Sequence, residues 1–213
     1  MWWIYQFLAA LALLAAGPWL LLLRRRHYLP TLRGRLGGGQ KGGGGASSGR
    51  RTGELWIHAV SVGEAVAAGT LAARLPSDLQ VLITTITPTG QRQAEAVAAR
   101  LGDRVAVAYL PFELGFAIRR FFGRFSPSAL VLVEGDFWPL LLRAVRRRAL
   151  PSAVVNGRVS DRSFPRLLRF RRFAGPLFFA PIDRFGVQTA VDAERLIALG
   201  VPGARITVTG NLK

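Results

Sequence analysis

Cysteine is absent from this chain of 213 residues, which excludes disulfides and thiolate metal sites and suits a reducing compartment. Histidine is almost absent. His27 and His58 stand far apart and are a poor basis for a metal site. Acids are scarce: 12 Asp and Glu face 29 Lys and Arg, and the formal net charge is +17. Nearly all of that positive charge is arginine. Such an excess favours an anionic partner, whether nucleic acid, anionic lipid or a phosphorylated substrate, and composition does not choose among them. A compositional bias towards arginine is the plain alternative; it explains arginine in place of lysine better than the shortage of acids. Half of the residues are hydrophobic, so disorder is not the default. The length suits one α/β domain with an appendage and is short for two such domains.

Charge is also missing from Met1 to Leu23. A helix of that length rises about 34 Å, enough for a bilayer core of about 30 Å. Trp2, Trp3, Tyr5 and Trp19 lie towards its ends, where amphipathic rings favour the interface, and Arg24, Arg25 and Arg26 follow at once. The expectation is a single-pass anchor over residues 1–23 with the rest of the chain in the cytoplasm. A cleaved signal peptide fits less well, because a basic leading region is missing and the apolar run is long. A half-inserted interfacial helix is the other alternative, since Gly17 and Pro18 would kink the span.

Residues 24–53 read as a basic, Gly-rich linker. Its glycines are not a phosphate loop, because no strand precedes them and no GK[ST] follows. From Glu54 onward, short apolar runs alternate with helical segments. Strands are expected at Leu55–Val60, Val81–Ile86, Val105–Tyr109, Ala129–Val133, Ala153–Asn156, Phe185–Gln188 and Ile206–Thr209. Helices are expected at Glu64–Leu75, Gln91–Leu101, Leu114–Phe122, Pro139–Arg148 and Val191–Leu199. This alternation predicts an α/β fold, a doubly wound parallel sheet, over residues 54–213. Arg162–Phe179 breaks the pattern by mixing arginine with bulky apolar residues. It reads either as a buried helix with a solvated basic face or as a surface lying against anionic lipid.

In doubly wound sheets ligands bind beyond the carboxyl ends of the strands. The first strand is followed by Ser61-Val62-Gly63-Glu64. Glu64 there could be a functional acid or a first-turn glutamate complementing the helix dipole. The second strand ends in TTITPTG (Thr84–Gly90), an anion-holding turn or a plain cap. The fourth ends in EGDFWP (Glu134–Pro139), with two acids and a tryptophan at a strand end. The fifth runs into Asn156–Ser163, adding polar groups at the same rim.

Together these segments resemble the Kdo transferases, which add 3-deoxy-D-manno-octulosonic acid (Kdo) in lipopolysaccharide assembly. The resemblance rests on WIHAVSVGE (Trp56–Glu64), TTITPTG, YLPFE (Tyr109–Glu113), EGDFWP, VNGRVSDRSF (Val155–Phe164), DAERLIALG (Asp192–Gly200) and VTGNLK (Val208–Lys213). They occur in family order across nearly all of the chain after the linker. Departures are mild: Asp136 stands where the family usually has glutamate, Gly157 for alanine and Glu113 for aspartate. The resemblance implies the Rossmann-like amino-terminal half of a GT-B glycosyltransferase, with the carboxy-terminal donor-binding domain absent from this chain.

The resemblance further implies transfer of Kdo from CMP-Kdo to a lipid A precursor at the inner membrane, with inversion and without a metal or other cofactor. Glu64 matches the family's catalytic glutamate, and Glu134 its other important acid. Ser61, Gly63, Thr87, Thr89, Gly90, Asp136 and Arg158 are expected at the acceptor rim. Arg169, Arg171, Arg172 and Phe173 are expected to face anionic inner-membrane lipid. The partners implied are the lipid A precursor and a separate chain carrying the missing domain. Nucleic acid is not expected, since no recognition motif appears. The alternative function is a non-catalytic, lipid-binding remnant.

Overall fold

The computed structural model describes Leu11, Ala15, residues 29–38 and residues 51–212. The anchor expected over Met1–Leu23 lies outside the described residues save Leu11 and Ala15. Among the described residues no helix is long and apolar enough to cross a membrane. Most of the Gly-rich stretch also lies outside them. Residues 29–35 within the expected linker are helical (α1), and they pack onto the domain: Arg35 donates to the Ile86 carbonyl, and the Phe112 amide donates to the Arg35 carbonyl at 2.8 Å.

The chain then runs β1 (Arg51–Thr52), β2 (Leu55–His58), α2 (Val62–Arg74), β3 (Val81–Thr85), α3 (Pro88–Leu101) and β4 (Val105–Tyr109). It continues through α4 (Gly115–Arg124), β5 (Phe125–Ser126), β6 (Ala129–Val133), α5 (Pro139–Arg147) and β7 (Ser152–Gly157). The last elements are α6 (Phe164–Arg169), α7 (Arg171–Ala174), a π-turn (Gly175–Phe179), β8 (Arg184–Val187), α8 (Ala190–Ala198) and β9 (Ile206–Val208). Every strand and helix expected after Glu54 is present, with ends shifted by a few residues at most. α2, α3 and α8 start earlier than periodicity suggests, because polar caps, and in α3 a proline, precede the apolar stripe. Ser61 caps α2, Thr87 caps α3 with Pro88 behind it, and Thr189 caps α8.

Seven parallel strands form one sheet in the order β4-β3-β2-β6-β7-β8-β9, and β1 pairs separately with β5. This is the doubly wound arrangement: strand order reverses between β2 and β6. β3 is buried along its whole length, as a strand covered on both faces must be. One apolar cluster joins Ile57 and Ile83 to α2 and α3, while a larger one joins Trp56, Leu82 and Leu130 to α4, α5 and α8. Gly69 lets α2 and α3 approach, since a Cβ there would stand 2.6 Å from Val97 Cγ2.

Arg162–Phe179 is neither a single buried helix nor a uniform surface. Phe170 separates α6 from α7, Gly175 and Pro176 open the π-turn, and its aromatics divide. Phe179 turns inward against Phe137 and Phe185, whereas Phe170 and Phe173 remain exposed.

His58 sits at the end of β2, fully buried, with Nδ1 2.9 Å from Thr84 Oγ1 and 3.1 Å from the Thr84 carbonyl. Burial lowers its pKa from 6.5 to about 4, against a smaller opposing effect of the Thr84 backbone. Well above pH 6.5 the imidazole is neutral whether folded or not, and it adds no pH dependence. As pH falls from 6.5 towards about 4, the unfolded chain takes up a proton that the folded chain refuses, so stability drops. The expected loss is about 3 kcal/mol across that window. Denaturant titrations at several pH values check it. His58→Asn, which can still donate to Thr84 but does not titrate, is expected to flatten that part of the profile; an unchanged profile would refute the assignment.

Candidate active site

A crevice opens where strand order reverses in an open α/β sheet, and here that point lies between β2 and β6. The segments leaving these two strands carry Ser61–Glu64 and Glu134–Trp138. Register sets their strands level, with His58 beside Leu132 on one side and Thr84 on the other.

Glu64 lies at the third position of α2 in a reciprocal cap. Its Oε1 accepts from Ser61 Oγ at 2.7 Å and its Oε2 from the Val60 amide at 2.8 Å, while its own amide reaches Ser61 Oγ at 3.3 Å. The side chain is therefore buried, oriented and shared with the turn that holds it. The cap and a functional acid are not exclusive, because each carboxylate oxygen retains a further lone pair.

Glu134 adopts a positive φ of 66°, unusual for a side chain of this size. Its amide donates to the Val155 carbonyl at 2.9 Å, and its Oε1 accepts from Asn156 Nδ2 at 3.3 Å. Asn156 itself has φ 56° and is fully buried. Its Oδ1 accepts from the Leu212 amide at 3.0 Å and its carbonyl accepts from Gln188 Nε2 at 3.1 Å. Two adjacent strand ends in left-handed conformation, tied by a side-chain bond, mark a place where the backbone bends to aim groups into the crevice.

Asp136 completes an acidic group. Asp136 is exposed, yet neighbouring atoms partly desolvate its carboxyl and raise its pKa above the usual value; the charges of Glu64 and then Glu134 raise it further. Carboxylates from the two sides of the switch point thus both act on Asp136. Among the described residues no group of three or more His, Asp or Glu is arranged to hold a metal ion.

The remaining rim residues distribute unevenly. Thr87 spans two segments: its Oγ1 donates to the Val60 carbonyl at 3.1 Å and receives the Gly90 amide at 3.0 Å. Gly90 is buried, and a Cβ there would meet Thr87 Oγ1 at 2.9 Å and the Val60 carbonyl at 3.0 Å, so its glycine serves packing between the two turns. Gly63 lies in the first turn of α2, and Ser61, Thr89 and Arg158 are exposed. The Arg158 amide lies 3.4 Å from the Glu134 carbonyl, which sets that arginine beside the acids. Arg169, Arg171, Arg172 and Phe173 sit on α6 and α7, on the helical layer between β7 and β8 rather than among the strand-end loops.

Sequence reasoning missed the supports. Glu113 accepts from the Leu140 and Leu141 amides at 2.8 and 2.9 Å, fixing the start of α5 and with it the acidic turn. Asp192 accepts from the Val159 amide at 2.8 Å, and Arg195 donates to the Val159 carbonyl and pairs with Asp161, clamping the loop that carries Arg158. Arg35 binds the Ile86 carbonyl next to Thr87 and covers the Tyr109 ring. The available signals were an isolated acid before a helix and the spacing of Asp192 and Arg195 on one helix.

A sequence profile described as "3-Deoxy-D-manno-octulosonic-acid transferase (kdotransferase)" matches residues 31–213. Curated relatives named 3-deoxy-D-manno-octulosonic acid transferase include one from Haemophilus influenzae, 35% identical over 162 residues, and one from Bordetella pertussis, 38% identical over 165 residues. Each match covers 75% of this chain and 37% of the relative, so the chain spans well under half of their length. Among solved structures, a UDP-GlcNAc 2-epimerase from Neisseria meningitidis bound to UDP-GlcNAc superposes with a TM-score of 0.53 at 10% identity, over 75% of this chain and 47% of that one. That likeness concerns the fold alone.

Proposed function

This chain belongs to the Kdo transferase family, matching its amino-terminal domain, and from that premise we propose that it supplies the acceptor-side half of an enzyme transferring Kdo from CMP-Kdo to a lipid A precursor. The observation that carries this reading is the placement of Glu64 just after β2 and of Glu134 and Asp136 just after β6, on the two sides of the switch point. The acceptor hydroxyl attacks the anomeric carbon of Kdo from the face opposite the nucleotide. The new carbon–oxygen bond forms as the bond to the phosphate oxygen breaks, CMP leaves, and the hydroxyl proton passes to Glu64. The cap holds that carboxylate in one orientation, while Glu134 and Asp136 orient the acceptor with Thr87, Thr89 and Arg158. The donor is held by the carboxy-terminal domain of the complete enzyme.

The test is transfer from CMP-Kdo to a lipid A precursor. The 213-residue chain alone is expected to give no measurable product, because an unplaced donor forfeits positioning worth about 7–11 kcal/mol of the barrier. Adding a carboxy-terminal domain from a relative is expected to restore turnover. Robust activity of the chain alone overturns the half-site reading. Failure of every supplied domain favours a lipid-binding remnant.

The charge-free Met1–Leu23 and the arginines after it support a placement on the cytoplasmic face of the inner membrane, held by a single-pass anchor. A reporter fused after Lys213 is expected to be active only as a cytoplasmic reporter; periplasmic activity would overturn this placement.

A further inference from the structure

The π-turn and the carboxyl end of α8 enclose a groove of about 650 Å³. Phe179 and Leu199 form its buried floor, Pro176 and Ile197 its open walls, and Arg171, Arg172 and Arg205 its rim. No acid lines it. Among the described residues none of the three guanidinium groups is paired with a carboxylate. Ile197 remains 53% exposed, and the neighbouring α6–α7 layer adds Phe170 and Phe173 at 57% and 59%. Three unpaired cations around an apolar trough call for a ligand with an anionic head and an apolar body. A free phosphate satisfies only half of that demand. With about 30 Å³ per water, the groove has room for some twenty waters, far more than one small anion displaces.

We propose that this groove holds a single anionic membrane lipid, with its phosphate among Arg171, Arg172 and Arg205 and part of an acyl chain against Pro176, Phe179 and Ile197. The inference deepens the reading of the α6–α7 layer as a membrane-facing surface. It differs in locating a discrete site, with Arg205 and Ile197 brought to it from beyond that layer by the packing of α8. A lipid seated there would fix the height and tilt of the domain on the bilayer, whereas surface adsorption alone leaves both free.

The test uses the full chain in neutral detergent with two photoreactive lipids, phosphatidylglycerol and phosphatidylcholine, each carrying a diazirine on the acyl chain. Phosphatidylglycerol is expected to label peptides covering residues 175–180 and 197–202 several-fold more than phosphatidylcholine does. Arg205→Glu is expected to abolish the difference, and the milder Arg205→Gln to reduce it, with the unfolding midpoint unchanged. Arg169→Glu with Phe173→Ser, outside the groove, is expected to weaken binding to anionic vesicles while groove labelling persists, which separates this site from the broader surface. Equal labelling by the two lipids, labelling confined to residues 162–173, or complete suppression by inorganic phosphate would overturn the proposal, the last by identifying a phosphate site without a lipid.

Discussion

In the reconstituted enzyme, Glu64→Gln is expected to lower kcat by about 10²–10⁴-fold, the usual cost of losing a general base. The substitution is informative because of the cap. Glutamine serves at the third position of such a cap as glutamate does, so Ser61 and the Val60 amide keep partners and α2 keeps its start. A merely structural Glu64 would therefore leave turnover near that of the parent. The base reading demands a fall in kcat with an unfolding midpoint close to the parent's. Removing this carboxylate also removes the larger of the two charge effects that raise the Asp136 pKa, so that pKa is expected to move down towards its ordinary value. Carbon-detected NMR of the Asp136 carboxyl reports this shift even in the chain alone. Undiminished turnover would take the base role from Glu64 and make Glu134 the acid to test.

Trp56→Ala is expected to cost about 3–5 kcal/mol of stability, a large part of the 5–15 kcal/mol typical of a domain. Trp56 is fully buried in the middle of β2. Its ring centroid lies 4.8 Å from that of Phe121 and 5.9 Å from that of Phe122, and its indole N–H donates to Thr84 Oγ1 at 2.8 Å. Truncation leaves a cavity where three aromatic rings met and removes one of the two ring nitrogens that reach the buried Thr84 hydroxyl. The midpoint of denaturant unfolding measures the loss, and Phe173→Ala is the control. Phe173 is 59% exposed, and its removal is expected to change stability by less than about 0.5 kcal/mol. Equal effects of the two substitutions would contradict the placement of Trp56 at the centre of the sheet.

The strands were legible because parallel strands covered on both faces need near-continuous apolar runs, as in Val81–Thr85 and Ala129–Val133. The rule that ligands gather at strand carboxyl ends points to Ser61–Glu64 and Glu134–Asp136 from the sequence alone. What stayed hidden depends on partners remote in sequence. Asn156 reads as one more polar rim residue, and only its left-handed backbone and its bonds to Glu134 and Leu212 show that it braces the crevice. Residues 29–38 were obscured by the glycines that follow them, although Thr31 and Arg35 are four apart and bond on one helix face at 3.1 Å. Arg162–Phe179 could not be resolved from composition, since an inward Phe179 and an outward Phe173 look alike until the π-turn separates them.

The strand order also bears on how the chain is made. β2 leaves the ribosome early, yet it occupies the middle of the finished sheet, and Leu55 must wait for Ala129 to fill its second edge. Through that interval the nascent domain offers an open ladder of amides and carbonyls on an apolar strand, the kind of surface that pairs with the wrong chain. Pairing across so long a stretch is also intrinsically slow. Synthesis of this protein is therefore expected to lean on chaperones between the emergence of β4 and that of β6, and synonymous changes that alter translation speed over residues 110–133 should affect soluble yield more than equal changes elsewhere.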